Sequence, residues 1–190
     1  MTDSELDPKK RILQAAMELL NEQEPETITV RQIAERAQVG VGLINYHFQT
    51  KDNLLNEAVG GSMGEVAAQW LQINEGEQDD PVLRLKNLLK ETSTIGVRFP
   101  AQLRVSITFE LQHGNFSVAQ MIVPILREIF GMTRTEKELR VLAFQIITPL
   151  QLASIRNDAF RAYAGIDLFN EEQRNETIDT LIDNILITKE

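Results

Sequence analysis

Thr29-Val30-Arg31-Gln32-Ile33-Ala34-Glu35-Arg36-Ala37-Gln38-Val39-Gly40-Val41-Gly42-Leu43-Ile44-Asn45-Tyr46-His47-Phe48 is the stretch on which the reading of this chain turns. Thr29 and Gln32 have capping-box spacing, in which the threonine oxygen and the glutamine side chain satisfy each other's orphan N–H groups. A short helix is predicted from Val30 to about Ala37, burying Val30, Ile33, Ala34 and Ala37. After Gln38-Val39-Gly40 a second runs from about Val41 to His47, with Val41, Ile44 and Phe48 at inward spacing and Gly42, Asn45 and Tyr46 on the other face. Ala34 is small where two helices must approach closely, and Val39 and Ile44 supply the apolar contacts of a helix-turn-helix. Part of that spacing is met by any helical hairpin, so a purely structural helix pair stays open on this ground alone.

Polar chemistry along one side of the stretch adds to it. Thr29 and Arg31 begin the first helix, Asn45, Tyr46 and His47 end the second, and Lys51 begins a third. Helix N-termini carry free N–H groups and positive dipole, which suits Thr29 and Lys51 to phosphate. Tyr46 and His47 can donate to phosphate oxygens, while Asn45 suits adenine and Arg31 guanine if they reach a groove. Taken singly, each residue has a plainer reading: Thr29 a cap, Tyr46 a half-buried aromatic, Lys51 a solvated charge.

Outward from this stretch the chain reads as helix after helix. Upstream, Asp7 is the N-cap and Pro8 the first residue of a helix to about Asn21, with Ile12, Leu13, Ala16, Leu19 and Leu20 on one face. Downstream, Thr50 caps a longer helix carrying Leu54, Leu55, Ala58, Val59, Val66, Ala67, Trp70 and Leu71. Its middle is weakened at Gly60-Gly61 by about 1 kcal/mol per glycine. The polar run 74–80 is predicted to be a loop, and Asp80-Pro81 repeats the cap-and-proline start for a helix bearing Val82, Leu85, Leu88, Leu89 and Ile95. Further helices are predicted at about 101–113, 116–130, 135–157 and 171–188, with Thr135 and Glu138 as a second capping box and Asn170 as the last cap. Pro124 and Pro149 are expected to kink their helices or end them early. Strand signals are weak throughout, so the fold class is all-α.

Composition narrows the function. The 190 residues carry 28 acidic and 19 basic side chains, a net charge of −9, which argues against a generally basic nucleic-acid coat protein. Yet residues 27–51 hold Arg31, Arg36 and Lys51 against Glu35 alone, so the acidity lies mostly outside the motif. With no cysteine and only His47 and His113, there is no thiol nucleophile or thiolate zinc site. No phosphate-cradling glycine loop is present either. No enzymatic activity, cofactor, metal or catalytic residue is therefore expected. The N-terminus lacks a basic and apolar leader, and no run reaches about 18 apolar residues, so a cytoplasmic protein without a membrane partner is expected.

The segment Ile28–Ala37, then Val39–Phe48, then Lys51-Asp52-Asn53-Leu54-Leu55 resembles the DNA-binding domain of the TetR family of transcriptional regulators, over roughly residues 8–57. The resemblance implies an N-terminal three-helix DNA-binding domain with a helix-turn-helix, taken as residues 1–50. It further implies a C-terminal helical bundle, residues 51–190, for ligand binding and dimerisation. Carried across by position, Thr29 and Arg31 lie beside the backbone and groove edge. Val41, Gly42, Leu43 and Tyr46 lie in the major groove, and Asn45, His47 and Lys51 hold phosphates. Three positions depart from the family's usual pattern: Gln38 where glycine is common, Gly40 where serine or threonine caps, and Asn45 in place of tyrosine. The expected function is a ligand-released repressor, a homodimer on double-stranded DNA with a pseudo-palindromic operator. The alternative is a helical protein–protein adaptor, or a family member without small-molecule input.

Two further expectations concern the C-terminal part. Ile178, Leu181, Ile182, Ile185 and Leu186 form a stripe on the last helix that either closes the monomer's own core or, with Leu139–Ala153, pairs with a partner copy. A small-molecule pocket between helices is expected from polar residues in apolar helices, Arg104, Ser106, Thr108, His113 and Gln145, and from the wall residues Phe99, Phe109, Met121 and Phe144. For His113 the plainer reading is a helix end near solvent, and aromatic or methionine residues at helical spacing are more often core.

Overall fold

The computed structural model describes residues 7–60, 80–114 and 116–187. These are helical: α1 Pro8–Glu22, α2 Val30–Arg36, α3 Val41–Phe48, α4 at 51–60, α5 Pro81–Arg98, α6 Pro100–His113, α7 Ser117–Phe130, α8 Glu136–Ile155, α9 Asn157–Ala164 and α10 Glu171–Ile187. No strand occurs among the described residues. Gly61, the distal half of the helix predicted to reach Leu71, and residues 74–79 of the predicted loop lie outside the described residues.

Two compact units form. In the first, the chain up to α4 takes in α6 from later in the sequence. Local chemistry dictates its starts and stops. Asp7 accepts the Lys9 N–H at 3.2 Å ahead of Pro8. Thr29 and Gln32 close the capping box, Gln32 N donating to Thr29 Oγ1 at 3.2 Å and Thr29 N to Gln32 Oε1 at 2.8 Å. Helix α2 stops because Gln38 takes φ +54°, which turns Val39 N onto Ala34 O at 2.9 Å and Gln38 N onto Glu35 O at 3.1 Å, a Schellman closure. Between α3 and α4, Gln49 at φ +65° lets Thr50 N reach Phe48 O at 2.7 Å, a tight γ-turn. These turns fold α1 to α4 around Ile12, Ala16, Leu19, Ile28, Ile33, Ile44, Phe48 and Leu54, all buried. Each of the isoleucine, leucine and phenylalanine side chains among them contributes about 1.5–3 kcal/mol by leaving water. Val105 of α6 joins the same core, and its buried neighbour Gln102 donates to Asn21 Oδ1 of α1 at 2.7 Å.

A left-handed residue with a side chain costs about 1–2 kcal/mol, and glycine's extra unfolded-state freedom returns about 0.5–1. Gln38→Gly is therefore expected to stabilise the protein by about 0.5–1 kcal/mol, measured as a higher urea midpoint. A lower midpoint would mean that the glutamine side chain contributes to the turn.

In the second unit α7 packs on α8 and α5, and α10 on α5. Leu85, Leu89, Ile122, Leu126, Leu139, Ala143, Ile146, Ile178 and Ile182 form its core. Lys86 and Lys90 of α5 hold Asp183 at 2.6 Å and Asp179 at 2.7 Å on α10, one helical turn apart on each helix. The α10 stripe thus divides: Ile178 and Ile182 close this unit's own core, while Leu181, Ile185 and Leu186 stay half-buried.

Of the two outcomes expected at Pro124 and Pro149, a kink or an early end, the early end does not occur in α7 or α8. Both prolines are exposed, as are Gln120 and Gln145 four residues before them, so the carbonyls that lose a partner face water. Helix α9 was not anticipated. Chain direction breaks at Arg156 without proline or glycine, because Asn157 is buried and ties down the α9–α10 connection, accepting from Leu168 N at 2.9 Å and donating to Asp167 Oδ1 at 3.0 Å. Gly165, left-handed at φ +73° after α9, was the available signal.

Candidate nucleic-acid interface

Helix α3 is too short to be stable alone and is held by two inward anchors, Ile44 and Phe48. Its outward strip is Val41, Gly42, Asn45 and Tyr46, all exposed, with the Tyr46 side chain 80% accessible. Val41, assigned an inward position by periodicity, is turned to solvent because it is the first helical residue, ahead of the seam that Ile44 begins. Leu43 is half-buried against the core of the first unit and shows only an edge to solvent. His47 is half-buried between neighbouring rings, 5.2 Å from Tyr46 and 5.9 Å from Phe48 by centroid. A Cβ added at Gly42 meets nothing within 4 Å, so the strip has room for close approach of another surface.

At the head of α2 the Thr29 hydroxyl is committed to Gln32, accepting from its backbone and donating to its Oε1 at 2.8 Å. The capping box uses the N–H groups of Thr29 and Gln32, which leaves those of Val30 and Arg31 open for an anion. The Arg31 side chain is exposed beside them.

Two of the three cations in this stretch are occupied. Arg36 grips both carboxylate oxygens of Glu22 on α1 at 2.8 Å and lies 3.6 Å from Glu18. Lys51, placed at phosphate by the resemblance, donates to the carbonyls of Pro25 and Ile28 at 3.0 and 3.1 Å. Three N–H groups on an ammonium leave it one more.

The hydrogen bond from Arg36, with its charge, holds the Glu22 carboxyl below the ordinary glutamate range and raises the guanidinium further. A carboxylate depressed in the folded state stabilises above its unfolded value and loses that contribution as pH falls through its folded value. Stability is accordingly expected to fall below about pH 4.5. The drop in urea midpoint between pH 5 and pH 3 should be smaller in Glu22→Gln than in the wild type, and an equal drop would dismiss the pair as a determinant.

The candidate effector residues divide between the units. Arg104, Thr108 and Phe109 of α6 line a cleft of about 130 Å³ with Lys51, Asp52 and Leu55. Arg104 also pairs with Glu24 at 3.3 Å and Glu26 at 3.7 Å in the α1–α2 loop. Phe99 and His113 are not part of that cleft; His113 is exposed at the end of α6, stacked on Phe109 at 3.8 Å with Nδ1 3.0 Å from Phe109 O. In the second unit Met121 is half-buried, while Phe144 and Gln145 are exposed on α8. Phe144 meets Phe116 edge-to-face at 5.6 Å. Val141 and Leu152 stand with Phe144 on α8 at 51%, 58% and 44% exposure, an apolar surface within the Leu139–Ala153 segment expected to pair with a partner copy. No single helix among the described residues is long and apolar enough to cross a membrane.

Residues 12–58 match the family model described as bacterial regulatory proteins, tetR family. None of the curated proteins compared matches the chain. Among solved structures, a TetR variant from Acinetobacter baumannii AYE in complex with minocycline is 22% identical, covers 98% of this chain and 99% of its own, and has a TM-score of 0.71. FadR of Thermus thermophilus, a TetR-family transcriptional repressor in complex with lauroyl-CoA, is 21% identical over 90% of this chain and 92% of its own, with a TM-score of 0.65. At these identities the likeness establishes a shared fold along nearly the whole chain.

Proposed function

We infer that this chain, whose residues 12–58 match the family model of the tetR family of bacterial regulatory proteins, is a DNA-binding transcriptional repressor released from its operator by a small molecule. The observation that carries the reading is the exposed strip Val41, Gly42, Asn45 and Tyr46 on α3, backed by buried Ile44 and Phe48 and flanked by the open N-terminus of α2. In this reading α3 enters the major groove. Val41 and the edge of Leu43 meet thymine methyls, Gly42 allows close approach, and Asn45, Tyr46 and His47 reach base edges or phosphates. The N–H groups at Val30 and Arg31 take a phosphate, Thr29 preserving their geometry, with the Arg31 side chain at the groove edge. So few polar groups on α3 imply a specificity that leans on shape and thymine contacts. Binding-site selection returning a motif read only at G·C pairs would refute that.

Functionally, residues 1–50 are the DNA-binding domain and 51–190 the effector and dimerisation domain, placed in the cytoplasm. Two heads about one DNA turn apart require a dimer on a pseudo-palindrome. The exposed apolar residues of α8 support a second copy as their cover. Leu152→Glu is expected to convert a micromolar dimer to monomer in sedimentation velocity, and an unchanged dimer would move the interface elsewhere.

Arg104, Thr108 and Phe109 are the effector residues we favour in the first unit and Met121 in the second. The minocycline and lauroyl-CoA complexes of the solved relatives support an effector with a substantial apolar part. Effector and operator favour different arrangements of the heads and so oppose each other. The α6 cleft, about 130 Å³ against the roughly 300–1,000 Å³ of ordinary ligand sites, favours a second reading, regulation without a small molecule. A mobility-shift titration with the DNA flanking the protein's own gene tests both: a retarded complex supports the regulator. Its release by a compound that raises thermal stability supports the effector. No retardation there, with no duplex recovered from a random library, overturns the assignment.

A further inference from the structure

The geometry points to Lys51 as a positioning residue that straps the α1–α2 loop and so sets the N-terminus of α2, rather than as a phosphate ligand. Its ammonium donates to Pro25 O at 3.0 Å and to Ile28 O at 3.1 Å across more than twenty residues of chain. Pro25 and Ile28 are both buried residues, and Lys51 satisfies their carbonyl acceptors. The loop's own hydrogen bonds are local, Thr27 N and Thr27 Oγ1 both donating to Glu24 O at 3.0 and 2.8 Å, and its other distant tie is the exposed pairing of Arg104 with Glu24 and Glu26. The Lys51 strap therefore ties this turn to α4, and Ile28 is the residue immediately before the Thr29 cap. A displacement of the loop moves the open N–H groups of Val30 and Arg31 with it.

Lysine is otherwise a poor choice here. Lys51 lies in the first turn of α4, where a cation opposes the positive end of the helix dipole. Two carbonyl oxygens offset that, and the half-buried ammonium retains a single N–H for anything else. Arginine at this position would keep the charge but not the compact head that both carbonyls share.

The strap is a property of the free protein. Its consequence for the operator rests on the DNA-binding reading above, and the two are tested separately in the full-length chain. In Lys51→Met without DNA, the backbone amides of residues 27–33 are expected to exchange at least about tenfold faster relative to α1; unchanged exchange overturns the strap. On a duplex that the wild type recovers from a random library, Lys51→Met is expected to bind at least about tenfold more weakly with an unchanged dependence of log affinity on log salt. A slope reduced by about 0.9, the signature of one lost phosphate contact, overturns the assignment whatever the exchange shows. Should Lys51→Met fail to fold, Lys51→Gln, uncharged but still a donor, takes both measurements. Intermediate exchange and affinity support the strap, and wild-type exchange with weak binding and the reduced slope overturns it. If the wild type recovers no duplex, the regulator reading fails while the exchange result still decides the strap.

Discussion

Gly42→Glu is expected to leave the protein folded and more stable while abolishing operator binding. Gly42 is the second residue of α3, and a Cβ there meets nothing within 4 Å, so the glutamate side chain enters solvent without displacing a neighbour. Replacing glycine recovers up to about 1 kcal/mol of helix propensity. A carboxylate in the first turn, where no acidic residue now stands, adds about 0.3–1 kcal/mol against the helix dipole. In the groove the same carboxylate faces phosphates and electronegative base edges, and such like-charge contacts cost several kcal/mol. A loss of at least about 100-fold, or about 2.7 kcal/mol, is expected in a mobility-shift titration. Retained affinity would remove α3 from the groove; a fall in thermal stability would mean that its first turn is less open than the geometry indicates.

Phe48→Ala is expected to destabilise the first unit by about 3–5 kcal/mol, as for other buried aromatic truncations. Phe48 is 3% exposed, ends α3, and has the Lys9 ammonium 5.7 Å from its ring centroid. Its carbonyl accepts from Thr50 N at 2.7 Å and from Asn53 Nδ2 at 3.1 Å, so the residue anchors the turn into α4 as well as the core. Against a typical total stability of about 5–15 kcal/mol this is a large fraction, and DNA binding should be lost with the fold of the head. Amide exchange resolved by residue is the suitable measurement, because a chain with two compact units need not unfold in one step. Phe144→Ala, on exposed α8, should cost far less in the free monomer; equal losses at both positions would contradict the assigned core.

Helix starts were legible because caps are local chemistry. Asp7-Pro8, Thr29 with Gln32, Asp80-Pro81, Thr135 with Glu138 and Asn170 each take the hydrogen bond their spacing implies. Gln38 stands where the resembled family commonly has glycine, and it takes the positive φ that favours glycine. Other features were not legible because they depend on partners distant in sequence. Arg36 counts only as one of the motif's positive charges in the sequence, and its pairing with Glu22 and Glu18 of α1 is set by the fold. Leu43 reads as a fully outward residue until the core of the head covers one side of it and leaves an edge to solvent. Gln102 reads as an ordinary polar helix residue, yet it is buried on Asn21 and helps bring α6 into the first unit. Arg174, buried at 4%, donates to Leu168 O and Thr94 Oγ1, neither of which any periodicity connects to it.

The sequence by itself determined that this is an all-helical protein with a helix-turn-helix, and which residues stand on the outer face of α3 beyond its first residue. Periodicity, capping and turn chemistry act over one or two helical turns and are written in neighbouring residues. Tertiary structure alone decided which of the motif's cations stay free, since ion pairs and orphan carbonyls find partners across the fold. It left Arg31 at the surface, spent Arg36 on Glu22, and turned Lys51 inward onto the loop that carries the head of α2.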